Sequence, residues 1–286
     1  MSVRGEGRLA TYLDRIGLVG PVGSDAAALG ALQRGHRLAI PFENLDIHLG
    51  REIPIDSDSV FDKLVVCRRG GYCFEQNRLF ADMLGLLDIP TRPLLARVRL
   101  GPPAAEPPPH THVLLLANLA GEAWLADVGF GGSYVPALPL RDGHVAVTDD
   151  GARHRVRRIG ERGSLAGEWL LERAGPHAST DGRALPHADW QPQYSFDLAE
   201  VAPADLDQAN HWTATAAGSR FTNLHIATIA CPSGFASLVD RTLSITGVSG
   251  AQAEIAGPSE YREVLAARFG ISLSHADIAA LPLFRD

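Results

Sequence analysis

Apolar residues recur at helical spacing through the first third of the chain. Leu9, Leu13 and Ile16 share one stripe, Ala28, Leu29 and Leu32 another, and Phe80, Met83, Leu84 and Leu87 follow at i, i+3, i+4 and i+7. Gly20-Pro21 and Pro41 divide the pattern. Asp88-Ile89-Pro90 ends it, because a proline disfavours the helical conformation in the residue before it. Residues 1–90 therefore predict a helical bundle. After Pro90 the period changes to short β-branched or leucine-rich runs at 94–100, 111–116, 123–128, 144–148, 153–159 and 168–172, which predict the strands of a barrel or sandwich over 91–200. The proline-rich stretch 101–109 reads as a stiff, solvated loop, and 174–192 as a second loop. Residues 201–286 combine strand-like runs at 224–230 and 241–245 with a helical pattern at 259–269, a smaller α/β unit. The fold class expected is α+β.

A chain of 286 residues, 45% hydrophobic and 21% charged, can bury a sizeable core in two or three units. Its formal net charge of -7 leaves no general basic surface for a nucleic-acid backbone or an anionic membrane, so neither is an expected partner. Residues 1–19 hold no continuous apolar run of signal-peptide or membrane-spanning length, and the expected location is the cytoplasm. The three cysteines, Cys67, Cys73 and Cys231, have no CxxC spacing, which fits a reducing compartment and predicts no metal site.

A lone cysteine is most often a small buried apolar residue, and Cys67 and Cys231 read that way. Cys73 differs. In Arg68-Arg69-Gly70-Gly71-Tyr72-Cys73-Phe74-Glu75 a glycine turn delivers it to the first turn of a helix, where unpaired N–H groups and the positive end of the macrodipole favour a thiolate. The two arginines add positive charge nearby. A nucleophilic cysteine also needs a base and a group to orient that base, and Thr111-His112 and Asp127-Val128-Gly129-Phe130-Gly131 supply candidates downstream. The runs 111–116 and 123–128 predict a hairpin. Centred between Leu119 and Ala120, it sets His112 directly opposite Asp127, so that the carboxylate holds one imidazole nitrogen while the other faces the thiol. A slip of one residue would separate the two faces. His48, His110, His211 and His225 are weaker competitors, since His48 and His110 flank loops and His211 and His225 have no evident strand-paired carboxylate.

At these residues the chain resembles the arylamine N-acetyltransferase family. The resemblance is carried, in the family's order, by Tyr12-Leu13-Asp14-Arg15-Ile16-Gly17, Ile40-Pro41-Phe42-Glu43-Asn44-Leu45-Asp46, Arg69-Gly70-Gly71-Tyr72-Cys73-Phe74-Glu75, Thr111-His112 and Asp127-Val128-Gly129-Phe130-Gly131. It implies a helical bundle, a β-barrel and an α/β lid, with Cys73, His112 and Asp127 as nucleophile, base and orienter. It further implies ping-pong transfer of an acetyl group from acetyl-coenzyme A, through a thioester, to an arylamine or hydrazine; a Cys–His pair does this without a metal. Phe42, Phe130 and Phe221 are implied as acceptor-pocket residues, Thr111 and Gly131 as coenzyme contacts, and the glycines around Phe130 leave its backbone room beside a ligand. Glu43 and Arg68 are expected to pair and brace the cysteine turn. The stretch after Asn210-His211-Trp212 departs from the family's Ser-Thr-His-Pro-like pattern, and only its end, at Phe221, matches clearly. Three other readings stay open: an amide synthase of the same fold joining a polyketide acyl chain to an aryl amine, a cysteine hydrolase or transglutaminase-like enzyme, and a binding protein with a dead site. A homo-oligomer is also left open.

Overall fold

The computed structural model describes residues 3–101, 106–176, 180–181, 183, 189–232, 234–247 and 250–284, so residues 102–105 of the proline-rich loop and much of the second loop lie outside it. Its first part is helical: α1 (Val3–Arg15), α2 (Ala26–Ala39), the short strand β1 (Phe42–Glu43), α3 (Leu45–His48), α4 (Ser57–Phe61), a π-turn (Asp62–Val66) and α5 (Cys73–Gly85). The apolar stripes of the sequence become one core, in which Leu9, Tyr12, Leu29 and Leu32 pack with Leu79, Phe80 and Met83. Asp25 caps α2 through a hydrogen bond from the Ala28 N–H at 2.8 Å. Helix α5 stops at Gly85, just ahead of the expected proline barrier.

The chain then enters β2 (Thr91–Val98), β3 (His110–Leu119), β4 (Glu122–Ala126), β5 (Leu138–Pro139), β6 (Val145–Val147), β7 (Arg153–Arg158), β8 (Trp169–Ala174) and β9 (Gln191–Phe196). They form one barrel-like antiparallel sheet in the order β5-β4-β3-β2-β9-β8-β7-β6. Its interior is lined by Leu94, Leu114, Leu125, Leu171, Tyr194 and their neighbours. Strand β9 was not expected; it begins at the end of the stretch read as a loop and contains Pro192, a residue rare inside strands. The sheet tolerates it at a register shift, where Glu172 pairs with Pro192.

The last part holds α6 (Pro203–Thr215), α7 (Arg220–Asn223), β10 (Ile226–Cys231), β11 (Gly234–Val239), β12 (Thr242–Thr246), β13 (Ala251–Glu254), α8 (Pro258–Phe269) and α9 (His275–Ala280). Helix α6 also escaped the sequence pattern, having a weak apolar stripe. Pro203 opens it, and Asp205 accepts the Ala202 N–H at 2.9 Å. Tyr261, Leu265 and Phe269 of α8 pack with Leu238 and Leu243 of the second sheet. That sheet runs β1-β10-β11-β12-β13, so Phe42 and Glu43 from the helical part pair with Thr228 and Ala227. This pairing brings Phe42 and the Phe221 segment to one place. Among the described residues no helix is long and apolar enough to cross a membrane.

Candidate active site

The turn before Cys73 passes through a gap that only glycine fits. A Cβ on Gly70 would lie 2.3 Å from the Pro41 carbonyl oxygen, and one on Gly71 would lie 2.6 Å from Glu75 Oε2. Tyr72 is the N-cap, and its N–H donates to Glu75 Oε2 at 3.0 Å. Cys73 is therefore the first residue of α5, with no carbonyl four residues earlier in the helix to take its N–H. Gln76 fastens the turn from within, donating to the Pro41 and Gly71 carbonyls at 2.7 and 3.0 Å.

The ion pair that braces this turn involves Arg69, not Arg68. Arg69 Nε and Nη2 reach Glu43 Oε1 at 2.9 and 2.7 Å, and Nη2 reaches Asp46 Oδ1 at 3.2 Å. Arg68 adopts φ +54° and is exposed, which leaves Glu43 to its neighbour. Lys63 completes the network with Asp46 at 2.7 Å and Glu75 at 2.6 Å. The cationic charge of Arg69 is thus matched by two carboxylates and is not available to the sulfur.

The β3–β4 hairpin is shifted from the expected register. Leu115 pairs with Ala126 and Leu119 with Glu122, so Ala120-Gly121 forms a two-residue loop with φ of +51° and +88°. His112 is consequently not opposite Asp127. The slip is an even number of residues, which preserves the face, and Asp127, one step past the end of β4, reaches His112 diagonally. His112 Nε2 meets Asp127 Oδ2 at 2.8 Å. Asp127 Oδ1 accepts from Asn77 Nδ2 at 3.1 Å and from the Gly129 N–H at 2.9 Å. Burial works against charge on both groups, but each outweighs it for the other: the imidazole is raised to about 10 and the carboxyl is lowered. Cys73 lines the same cavity wall as this imidazole, and its nearness reinforces the rise. With Nε2 committed to the carboxylate, Nδ1 is left for the sulfur. The thiol also lies 3.6 Å from the Thr111 carbonyl oxygen.

Polar residues not singled out from sequence hold these groups. Asn77, one helical turn after Cys73, donates to the Val113 carbonyl at 2.7 Å as well as to Asp127, and accepts the Val128 N–H at 3.2 Å. Gln33 accepts the Asp127 N–H at 3.1 Å, and Arg37 donates to the carbonyls of Val128 and Phe130 at 3.1 and 3.2 Å. Their signal was present: Gln33 and Arg37 fall at i, i+4 on the buried side of α2, and Asn77 on that of α5. The room at Gly129 is filled by this packing and not by a ligand, since a Cβ there would lie 2.7 Å from the Cys73 Cα and 2.5 Å from Asn77 Nδ2. A Cβ on Gly131 would touch the Phe42 ring at 3.0 Å.

Cys73 and His112 open on a cavity of about 140 Å³. Phe42, Phe130 and Phe221 wall it, and Thr111 and Gly131 line it as well; Asp127 sits outside, behind the imidazole. The Phe42 and Phe221 rings are 5.8 Å apart, and Phe130 meets the His112 ring edge-on at 5.3 Å. The competing histidines are elsewhere. His48 and His225 stack on each other at 3.6 Å, His211 lines a separate cleft, and His110 lies at the start of β3. No group of His, Cys, Asp and Glu among the described residues is arranged to hold a metal ion.

A family model described as N-acetyltransferase matches residues 25–278, and an arylamine N-acetyltransferase of Escherichia coli (strain K12) is 39% identical over 203 residues, 71% of this chain and 66% of that relative. The chain belongs to the arylamine N-acetyltransferase family. The solved arylamine N-acetyltransferase from Salmonella typhimurium is similar throughout, with a TM-score of 0.84, 31% identity, and 96% of this chain and 97% of that one covered. The Mycobacterium marinum arylamine N-acetyltransferase in complex with CoA has a TM-score of 0.81 at 29% identity, covering 96% of this chain and 98% of its own. The helical bundle, barrel-like sheet and α/β lid are the arrangement of these family structures.

The three thiols of this family member should differ in reactivity. Cys67 is exposed and Cys231 half-buried, not the buried residues expected; partial desolvation and the Asp62 carboxylate push the Cys67 thiol up, and desolvation pushes up that of Cys231. Cys73 meets an imidazole and a helix N-terminus at the wall of a cavity. Limiting iodoacetamide at neutral pH is expected to alkylate Cys73 first, as read by peptide mass spectrometry, and equal labelling of all three would contradict an activated sulfur.

Proposed function

We propose that the chain transfers an acetyl group from acetyl-coenzyme A to the nitrogen of an arylamine or arylhydrazine, in the cytoplasm, through a thioester on Cys73. The observation that carries this reading is that Cys73 and His112, the latter held by Asp127 at 2.8 Å, line one aromatic cavity of about 140 Å³. In the first half-reaction the Cys73 sulfur, its proton held on His112 Nδ1, attacks the acetyl carbonyl. The bond from that carbon to the coenzyme sulfur breaks, and the departing thiolate takes the proton from the imidazolium. In the second, an arylamine attacks the thioester, its proton passes to Nδ1, and the Cys73 sulfur leaves as the anion. Weakly basic aryl amines are unprotonated near neutral pH and so have a free lone pair. Asp127 keeps the imidazole oriented and stabilises its charged form without itself taking the proton. The Cys73 N–H, first in its helix, is positioned to donate to the oxyanion of either tetrahedral stage.

Phe42, Phe130 and Phe221 serve as the acceptor's walls, and Thr111 and Gly131 as contacts for the coenzyme. The CoA complex of the Mycobacterium marinum relative supports coenzyme A as donor. So does the chain after Phe221, whose described residues build strands β10 to β13 and helices α8 and α9, a larger lid than a synthase of this fold needs. Free coenzyme A should appear stoichiometrically when acetyl-coenzyme A is supplied alone, and catalytically once an aminobenzoate is added. No turnover across a panel of aryl amines and hydrazines would favour the amide synthase, and cleavage or cross-linking of a peptide would favour the hydrolase.

A further inference from the structure

The cavity above Cys73 carries a charge that acyl transfer leaves unused. Arg220, first residue of α7, lines it together with Cys73, His112, Phe42 and Phe221. Its Nε is buried without a hydrogen-bond partner among the described residues. The Nε atoms of Arg37, Arg173 and Arg262 are likewise buried without a partner among the described residues, but of these four arginines only Arg220 lines the cavity. Asp181, the acid that also lines the cavity, is held by Arg183 at 2.6 Å. Arg183 lines the same wall and so adds a second cation there. Burial and then Arg183 push the guanidinium of the partly buried Arg220 down, against the opposing pull of Asp181 and Asp240. A buried donor left unmade is unfavourable, and an incoming anion would relieve it.

The size of the cavity says which anion. An apolar cavity of about 150 Å³ accommodates benzene, and this one, at about 140 Å³, has room for one ring. A ring whose nitrogen approaches the Cys73 sulfur presents its other substituents to the remaining walls, Arg220 among them. The diphosphate of coenzyme A fits less well, because the pantetheine arm separates it from the reacting thioester by more than this cavity spans. We propose that Arg220 selects, among single-ring aromatic amines, those that carry a carboxylate, which it binds through paired N–H donors. This selectivity rests on the acyl-transfer reading of the Cys73 site.

The test compares 4-aminobenzoate with its uncharged methyl ester. In Arg220→Gln the ratio of kcat/KM for acid over ester should fall about 10- to 100-fold, through a higher KM for the acid, as for loss of a hydrogen bond to a charged group. An unchanged ratio overturns the proposal. So does a variant that keeps the ratio but loses the burst of free coenzyme A from acetyl-coenzyme A alone, because the guanidinium would then serve the donor. If the variant does not fold, the unmodified protein decides, since it must bind the acid about 10-fold more tightly than the ester, and equal affinity refutes selection. Calorimetric titration of 4-aminobenzoate into Cys73→Ser, with and without Arg220→Gln, separates the two readings. Carboxylate binding that weakens with Arg220→Gln supports this proposal even if no acetyl transfer is found, and equal binding refutes it.

Discussion

Replacing Cys73 with serine should lower acyl transfer by about 10⁴-fold or more, the scale seen when a nucleophile acting as part of a coupled unit is removed. The change is one atom, and its effect is chemical. A serine hydroxyl is far weaker as an acid than a thiol, so the His112 imidazole that shares the cysteine's proton cannot hold an appreciable fraction of alkoxide. Both half-reactions need that anion, first as attacking group and then as leaving group. The fold should persist, because a hydroxyl can still donate to the Thr111 carbonyl that the thiol approaches at 3.6 Å. The stability cost should remain about 1 kcal/mol. Two measurements decide: free coenzyme A released per enzyme from acetyl-coenzyme A alone, and the mass of the peptide containing position 73. A serine variant that still released coenzyme A and acetylated an arylamine would remove the sulfur from the mechanism.

What the sequence made legible here was local, and what it hid was contacts between distant segments. Two glycines followed by a cysteine at the start of an apolar stripe specify a helix N-terminus, because the turn and the first helical residues are set by their immediate neighbours. The hairpin shows where such reasoning reaches its limit. The expected centre, between Leu119 and Ala120, falls one residue before the observed Ala120-Gly121 loop, in which Ala120 takes a positive φ that alanine rarely adopts, so the register came out two residues away from that observed. Side chains alternate with period two, so the error left His112 and Asp127 on the same face. Arg68 and Arg69 are identical in kind and adjacent, and only the left-handed backbone at Arg68 decides which reaches Glu43. Gln33, Arg37 and Asn77 come from two helices and meet the Asp127 loop only in the folded chain. The stretch read as a loop to residue 192 runs into β9, where a register shift in β8–β9 accommodates Pro192.

Glu43→Gln should destabilise the protein by about 3 to 5 kcal/mol, the usual effect of removing one partner from a buried ion pair. Glu43 is 1% exposed and Arg69 9%, so the charge left behind is shielded from water, with Asp46 its remaining carboxylate partner. Arg69→Met should be comparably harmful, because it strands Glu43. The double variant should recover part of the loss, since no unpaired charge then remains, and this non-additivity distinguishes an ion pair from two independent packing defects. Urea unfolding of the four proteins with unchanged m measures it, and strictly additive losses would argue against coupling. Acid provides a second check. Burial would raise the Asp46 carboxyl, but Lys63 and Arg69 outweigh it and lower it from 3.8 to about 2. A depressed carboxyl stabilises the fold above its ordinary value, and that contribution is lost as pH falls from near 3.8 through 2. Arg69→Met should therefore lose less additional stability than wild type over that interval. Activity should fall along with stability, because Arg69 immediately precedes Gly70-Gly71, whose path between Pro41 and Glu75 sets where α5 begins and hence where the Cys73 sulfur stands relative to His112.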